Sequence, residues 1–240
     1  MANIISLEQA DFKKLPEKWI DLARELASGN IQDDHSLFSE IAELEIPSIE
    51  KLRPVRKSFW ALLAEDNFFV GLRWLDKIGM LDIILPCWSG NGVRRKLRLN
   101  ALENYAKEPW KKFFDDSVMK NITDIHEVIV DRRLKRWSLT AIAIMFAGGD
   151  TENQNSWAKM TRRDLHEFGA TEAELVWIER IIREFNQAML FVRGVTDEYI
   201  LRPELAVAVL STMKTSDPDL FKEAATRANK ALLNQVGPLD

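Results

Sequence analysis

The sequence is poor in cysteine and histidine, which limits the kinds of chemical site that it can build. Cys87 is the single cysteine among 240 residues, and this excludes a disulfide framework and every Cys-rich zinc site. Three histidines leave few ways to assemble a His-rich metal centre. Ten glycines and eight prolines are fewer than ordinary usage gives, so collagen-like and low-complexity classes are excluded.

Long hydrophobic runs are also lacking. The longest strongly apolar stretch, residues 139–149, is much shorter than the roughly 20 residues that a membrane-spanning helix needs. The first ten residues have neither the basic start nor the apolar centre of a signal peptide. We therefore expect no membrane partner and a cytoplasmic location.

Helical periodicity dominates the chain, and no convincing strand alternation occurs. This pattern predicts an all-α fold, an irregular multi-helix array of roughly a dozen short helices. Gly79 is predicted to close a helix over 68–78, and Thr171 with Glu174 forms a capping box. Further predicted helices cover residues 95–106, 109–117, 121–129, 134–147, 154–168, 172–191, 203–214 and 217–234.

A break at Pro86–Gly92, with the sequence Pro-Cys-Trp-Ser-Gly-Asn-Gly, interrupts the helical pattern. Proline and clustered glycines favour turns over helices. The break predicts an N-terminal helical subdomain over residues 1–86 and a C-terminal helical body over residues 93–240.

Charge is distributed unevenly along the chain. The total is −4, but residues 1–50 carry −7, residues 51–137 carry +7 and residues 138–240 carry −4. A concentrated basic segment is a better indicator of partners than the total, because lysine and arginine neutralise phosphates. The predicted nucleic-acid contacts are Arg94, Arg95, Lys96, Arg98, Lys111, Lys112, Arg132, Arg133, Lys135 and Arg136. Trp110 and Trp137 adjoin these groups, and aromatic rings can stack on unpaired bases.

Local motifs that would carry catalysis are incomplete. His126-Glu begins a zinc-protease pattern, but Val130 stands where the second histidine is needed. This indicates an interfacial or surface histidine. Asp217-Pro-Asp219 suits the start of a helix better than a metal pair, and no local base accompanies Cys87. We predict no catalytic residue, no metal and no cofactor.

One stretch resembles a known family. Residues 66–86, Asp-Asn-Phe-Phe-Val-Gly-Leu-Arg-Trp-Leu-Asp-Lys-Ile-Gly-Met-Leu-Asp-Ile-Ile-Leu-Pro, are similar to the neck of class II tRNA nucleotidyltransferases and bacterial poly(A) polymerases. The resemblance implies a helical neck followed by an HD-like helical body. Residues 139–150 resemble the body helix that carries the metal-binding His-Asp pair, and Phe146 and Ala147 occupy those two positions. Neither side chain can coordinate a metal, so the resemblance implies a degenerate HD motif.

The catalytic head of that family is not expected in this chain. About 60 residues precede the neck-like stretch, and their pattern is helical, whereas the head is a mixed α/β module in the family. We therefore expect a non-catalytic module that binds tRNA-like RNA. It would be the accessory part of a nucleotidyltransferase system, with a separate catalytic or protein partner.

Two alternatives remain open at this point. The chain is a protein-interaction or oligomeric scaffold if some of its eight tryptophans are exposed as anchors. Four of them, Trp19, Trp60, Trp74 and Trp177, lie on apolar helix faces and are predicted to be core. The lesser alternative is a divergent metal-dependent phosphohydrolase that uses carboxylates such as Asp115, Asp116, Asp131 and Asp150.

Overall fold

A computed structural model describes residues 15–30, 52–88, 92–131, 134–147 and 154–236. Within these ranges the chain forms eleven α-helices, two short 3-10 helices and one two-stranded hairpin. The all-α irregular helical array predicted from the sequence is therefore confirmed. In the same ranges, no helix combines the length and the apolarity that crossing a bilayer requires.

The helices are numbered in chain order. They are α1 (Glu17–Ala27), α2 (Leu52–Leu62), α3 (Phe68–Lys77), α4 (Met80–Ile84), α5 (Gly92–Lys107), α6 (Asp116–His126), α7 (Arg136–Phe146), α8 (Gln154–Glu167), α9 (Glu172–Val192), α10 (Pro203–Ser216) and α11 (Phe221–Val236). The 3-10 helices are Pro86–Trp88 and Lys111–Phe113. Strands β1 (Ile129–Val130) and β2 (Leu134–Lys135) pair antiparallel, with Ile129 opposite Lys135 and Val130 opposite Leu134.

Contacts within the chain divide it into two units, Met1–Ser89 and Gly90–Asp240. In the first unit, α1 packs against α2 and α3. Gly71 permits the close approach of α3 to α1, because a Cβ at this position would lie 2.5 Å from the carbonyl oxygen of Ala23. The rings of Trp19 and Trp74 stack with their centroids 6.1 Å apart. This unit therefore has an aromatic core of its own.

The second unit is built around two buried helices. Every side chain from Ser138 to Phe146 in α7 is buried, as is every side chain from Pro203 to Ser211 in α10. Helix α10 packs against α5, α9 and α11, and α7 packs against α5 and α9. A helix that is apolar on all sides is stable only when other elements surround it. The other helices of this unit supply that cover.

Two helix-end signals predicted from the sequence are confirmed. Gly79 follows α3 with a φ of +79°, a left-handed conformation that glycine adopts without a Cβ penalty. The hydroxyl of Thr171 accepts a hydrogen bond from the Glu174 backbone N–H over 3.4 Å. The Thr171 backbone N–H in turn donates to the Glu174 carboxylate over 2.8 Å. This reciprocal pair satisfies two N–H groups at the start of α9.

The segment between α5 and α7 differs from its prediction. The sequence predicts helices over 109–117 and 121–129 and no strand. The second helix is present in part, as residues 121–126 of α6, whereas the first helix and the absence of a strand are wrong. A 3-10 helix is followed instead by α6, and the chain then forms the β1–β2 hairpin. The β-branched run at residues 128–130 favours extended backbone, and Asp131 turns the chain with a φ of +49°. Strands of two residues are too short to produce an alternating sequence pattern.

Candidate functional site

The sequence-predicted nucleic-acid contacts differ in how far they reach into solvent. The exposed ones are Arg94, Lys96, Lys111, Lys112 and Lys135, and the half-buried ones are Arg95 and Arg136. Arg98 is buried, with 7% of its surface exposed. Arg132 and Arg133 lie outside the described residues.

Arg98 is held inside the second unit by an aromatic ring. Its Cζ atom lies 5.6 Å from the ring centroid of Trp157. The indole N–H of Trp157 donates to the backbone oxygen of Phe146 over 2.6 Å. Arg98 is therefore fixed beside the carboxyl end of α7, and it does not extend from the surface as a phosphate contact would.

The opposite end of α7 contacts the carboxyl end of α5. The Tyr105 hydroxyl donates to the backbone oxygen of Trp137 over 3.0 Å, and the two rings stack with centroids 3.9 Å apart. Helices α5 and α7 are therefore antiparallel. Since an α-helix rises about 1.5 Å per residue, roughly 15 Å of helix separates the Arg98 end of α7 from Arg136. The basic groups of α5 and of the hairpin thus lie at opposite ends of this helix pair.

The basic groups around residues 107–112 surround a ring that is not available for stacking. Trp110 is fully buried, so its ring cannot stack on bases. The ammonium group of Lys112 lies 5.1 Å from the ring centroid of Phe113. Lys111 forms an ion pair with Glu108. The cations of this turn can contact phosphates, but its tryptophan belongs to the core.

A cleft that the sequence analysis missed lies where α7, α9 and the start of α10 meet the hairpin. Its volume is about 560 Å³. Trp177 forms its floor, and the Cζ atoms of Arg136 and Arg180 lie 4.5 Å and 4.6 Å from the indole ring centroid. Trp177 and Arg180 are three positions apart on α9 and so share one helix face. That spacing is visible in the sequence. Nothing in the sequence indicates that Arg136, which lies on another element, packs against the same ring.

Ion pairs neutralise most of the charge around this cleft. Arg180 donates to the Glu204 carboxylate over 2.6 Å. Glu172 is paired with Arg162 outside the cleft. Arg136, in contrast, makes no ion pair and no side-chain hydrogen bond within the part of the chain that the structure describes. The described lining residues therefore leave one uncompensated positive charge, that of Arg136.

His126 lies next to the cleft but inside the core. It is 2% exposed, so of the two positions expected from the sequence, interfacial or surface, the surface one is wrong. Its Nδ1 lies 2.8 Å from the backbone oxygen of Ile122, and the rings of Tyr105 and Trp137 flank it at centroid distances of 6.4 Å and 5.5 Å. Burial is the main cause that lowers the pKa of His126 to about 4; the Ile122 hydrogen bond opposes the shift, and the Arg136 charge adds to it. His126 is therefore neutral at pH 7.

The described aspartates that the phosphohydrolase alternative would use, Asp115, Asp116 and Asp131, lie at the surface. In the described ranges, no three His, Cys, Asp or Glu side chains are grouped closely enough to hold a metal. Asp115 and Asp131 are exposed, and Asp115 accepts a hydrogen bond from Asn229 over 2.6 Å. Asp150 lies outside the described residues. Phe146 and Ala147, at the positions that resemble the HD pair, are buried apolar side chains.

Two further expectations can be compared with the described residues. All eight tryptophans lie in these ranges and none is exposed, which confirms Trp19, Trp60, Trp74 and Trp177 as core residues.

The predicted helix start at Asp217-Pro-Asp219 is wrong. Asp217 pairs with Arg193 just after α10, and α11 begins later, at Phe221.

Two surface features can contact anions. Exposed lysine and arginine side chains can contact phosphates, and the cleft combines a stacked arginine with apolar walls, an arrangement that holds anions. No protein-family model matches this chain, and no curated protein matches it either.

Proposed function

We propose that the protein is a non-catalytic RNA-binding module that holds a tRNA-like RNA through its phosphates. The observation that carries the proposal is a set of exposed cations within the segment of charge +7, residues 51–137. Lys96, Lys112 and Lys120 are exposed and form no ion pair with any carboxylate of the described residues. An unpaired lysine on the surface neutralises a phosphate and releases a counterion when it binds RNA.

The distribution of these cations favours contact along an extended backbone over contact at one point. Lys96 lies near the start of α5, Lys112 in the turn after α5, and Lys120 on α6. Contacts to phosphate and sugar fix the position of a nucleic acid but carry no sequence information. Since Trp110 is buried, base stacking on that ring does not contribute to RNA binding. The proposed binding therefore depends on the shape and charge of the RNA more than on its sequence.

The resemblance of residues 66–86 to a nucleotidyltransferase neck supports the choice of a tRNA-like ligand. In this stretch, α3 is followed by the left-handed Gly79 and then by α4, which agrees with the helical neck that the resemblance implies. In this proposal the protein is the accessory part of a nucleotidyltransferase system, and a separate subunit carries out the catalysis.

A pair of charge-reversal variants tests the proposal. Lys112→Glu combined with Lys120→Glu is expected to weaken the binding of labelled tRNA at least tenfold at low salt, because two phosphate contacts become repulsive. The matched control is Lys159→Glu combined with Lys230→Glu, two exposed lysines from the acidic residues 138–240. It changes the total charge equally and is expected to have a much smaller effect. Equal losses in both variants would contradict a localised RNA-binding surface.

The protein-interaction alternative is addressed in the same preparations. It requires exposed tryptophan anchors, and none of the eight tryptophans is exposed. A particle mass that rises with concentration in light scattering, together with no tRNA binding at low salt, would favour that alternative over ours.

A further inference from the structure

We infer that the cleft over Trp177 is a binding site for a small organic anion whose carboxylate or phosphate contacts Arg136 and whose body is apolar. This inference goes beyond RNA binding and does not depend on it. It depends on the charge, the rigidity and the walls of the cleft.

The uncompensated positive charge in the cleft favours the binding of an anion. Arg180 is neutralised by Glu204 at 2.6 Å, whereas Arg136 has no carboxylate partner in the described ranges. The Nε atoms of both arginines are buried without a hydrogen-bond partner there. Arg180 nevertheless has a carboxylate at its terminal nitrogens, and Arg136 has none in the described ranges. An anion at the terminal nitrogens of Arg136 would supply that missing partner.

The cation of the cleft is held in place before any ligand arrives. The guanidinium carbon of Arg136 lies 4.5 Å from the centroid of the Trp177 ring. Trp177 is fixed in turn, because its indole N–H donates to the hydroxyl of Thr140 over 3.1 Å. The backbone N–H of Arg136 donates to the Val128 oxygen over 2.9 Å, which ties the start of α7 to the hairpin. A side chain that is already ordered loses little entropy on binding, and this favours affinity.

The apolar side chains that line the cleft favour a ligand with an apolar body. Ile125, Val130 and Val176 line it, and Val176 is 57% exposed. An apolar ligand would cover these side chains and remove them from water. The volume of about 560 Å³ lies within the range of small-molecule sites, about 300–1,000 Å³. The ligand class that fits is an anion of that size with an aromatic or aliphatic body.

Matched pairs of charged and neutral probes test the inference by isothermal titration calorimetry on the full chain. One pair is 1-naphthylacetate and 1-naphthylacetamide, which differ only in the head group, a charged carboxylate in one and a neutral amide in the other. The other is adenosine 5′-monophosphate and adenosine. We expect at least one anion to bind about tenfold or more tightly than its neutral counterpart, as a charge-assisted hydrogen bond provides. The pair that shows the preference distinguishes a carboxylate site from a phosphate site, and either result supports the inference.

Variants connect the preference to the cleft. Arg136→Gln is expected to abolish the preference for the anion, whereas Arg183→Gln, an exposed arginine of α9 that pairs with Glu179, should keep it. Val176→Glu is a second variant that changes only an exposed side chain, and its added negative charge should also abolish anion binding. Val195→Glu is its control, because Val195 is 68% exposed and lies away from the cleft.

Two results would overturn the inference. One is that neither anion binds more tightly than its neutral counterpart. The other is that the preference survives in Val176→Glu and in correctly folded Arg136→Gln, as judged by circular dichroism. If Arg136→Gln fails to fold, the Val176→Glu result decides.

Discussion

The guanidinium of Arg180 donates a hydrogen bond through Nη2 to Oε1 of Glu204 over 2.6 Å, and this pair joins α9 to the first turn of α10. Glu204 is 3% exposed. A carboxylate in the first turn of a helix is stabilised by the positive end of the helix dipole. Arg180 supplies the opposite charge, and it also lies over Trp177. One ion pair thus positions both the central helix α10 and the floor of the cleft.

Removal of Arg180 is expected to destabilise the second unit. Arg180→Ala leaves the buried Glu204 carboxylate without its partner, and the expected loss in the free energy of unfolding is about 2 kcal/mol, less than for a fully buried pair because Arg180 is partly exposed. Guanidinium chloride unfolding measures it. In a double-mutant cycle with Glu204→Ala, the combined loss should be smaller than the sum of the single losses. Additive losses would show that the pair does not couple the two helices.

Gly71 is expected to be the least tolerant glycine of the first unit. A Cβ at this position would lie 2.5 Å from the Ala23 oxygen and 2.6 Å from Leu62 Cδ1. Gly71→Ala should therefore lower the free energy of unfolding by about 2 kcal/mol through overpacking. The control is Gly79→Ala, where no atom lies within 4 Å of the new Cβ and only the positive φ is unfavourable, a cost of about 1 kcal/mol. A smaller loss for Gly71→Ala than for Gly79→Ala, by urea unfolding, would contradict the packing described for α1 and α3.

Stability is expected to fall in acid because of His126. Its pKa in the folded chain is about 4, below the value of about 6.5 in an unfolded chain. Between these two values the unfolded state binds a proton that the folded state does not, so the free energy of unfolding decreases as the pH falls from about 6.5 to 4. The contribution of this residue is on the order of 3 kcal/mol.

Comparison with His126→Gln isolates this contribution, since the other two histidines are the same in both proteins. Unfolding free energies at pH 7 and pH 4.5 are expected to differ more in the wild type than in the variant. The same pH dependence in both proteins would mean that burial of His126 does not control the acid sensitivity.

The elements that sequence predicted best are those fixed by local chemistry. Thr171 and Glu174 are three positions apart, so one capping box is visible in a stretch of four residues. Gly79 follows an apolar helical pattern directly, and only a left-handed residue can end α3 in that way. The core tryptophans, such as Trp19 and Trp74, were predicted because apolar residues recur around them at helical spacing.

The cleft could not be predicted, because its parts come from separate elements. Arg136 begins α7, Trp177 lies on α9 and Glu204 lies on α10, and no sequence period relates them. The same limit explains why Arg98 was expected at the surface. Its run of basic neighbours indicates a solvated face, but Trp157 from α8 covers its guanidinium. Tertiary packing of this kind overrides a local charge pattern.

The salt dependence of tRNA binding tests the central proposal most directly. Labelled tRNA is titrated with the full chain at 50 mM and at 200 mM salt. If about four phosphates are neutralised, the affinity should fall about a hundredfold between these conditions, because counterions released into a concentrated salt solution gain less entropy than those released into a dilute one. No binding at 50 mM salt, or an affinity that is the same at both concentrations, would contradict the account.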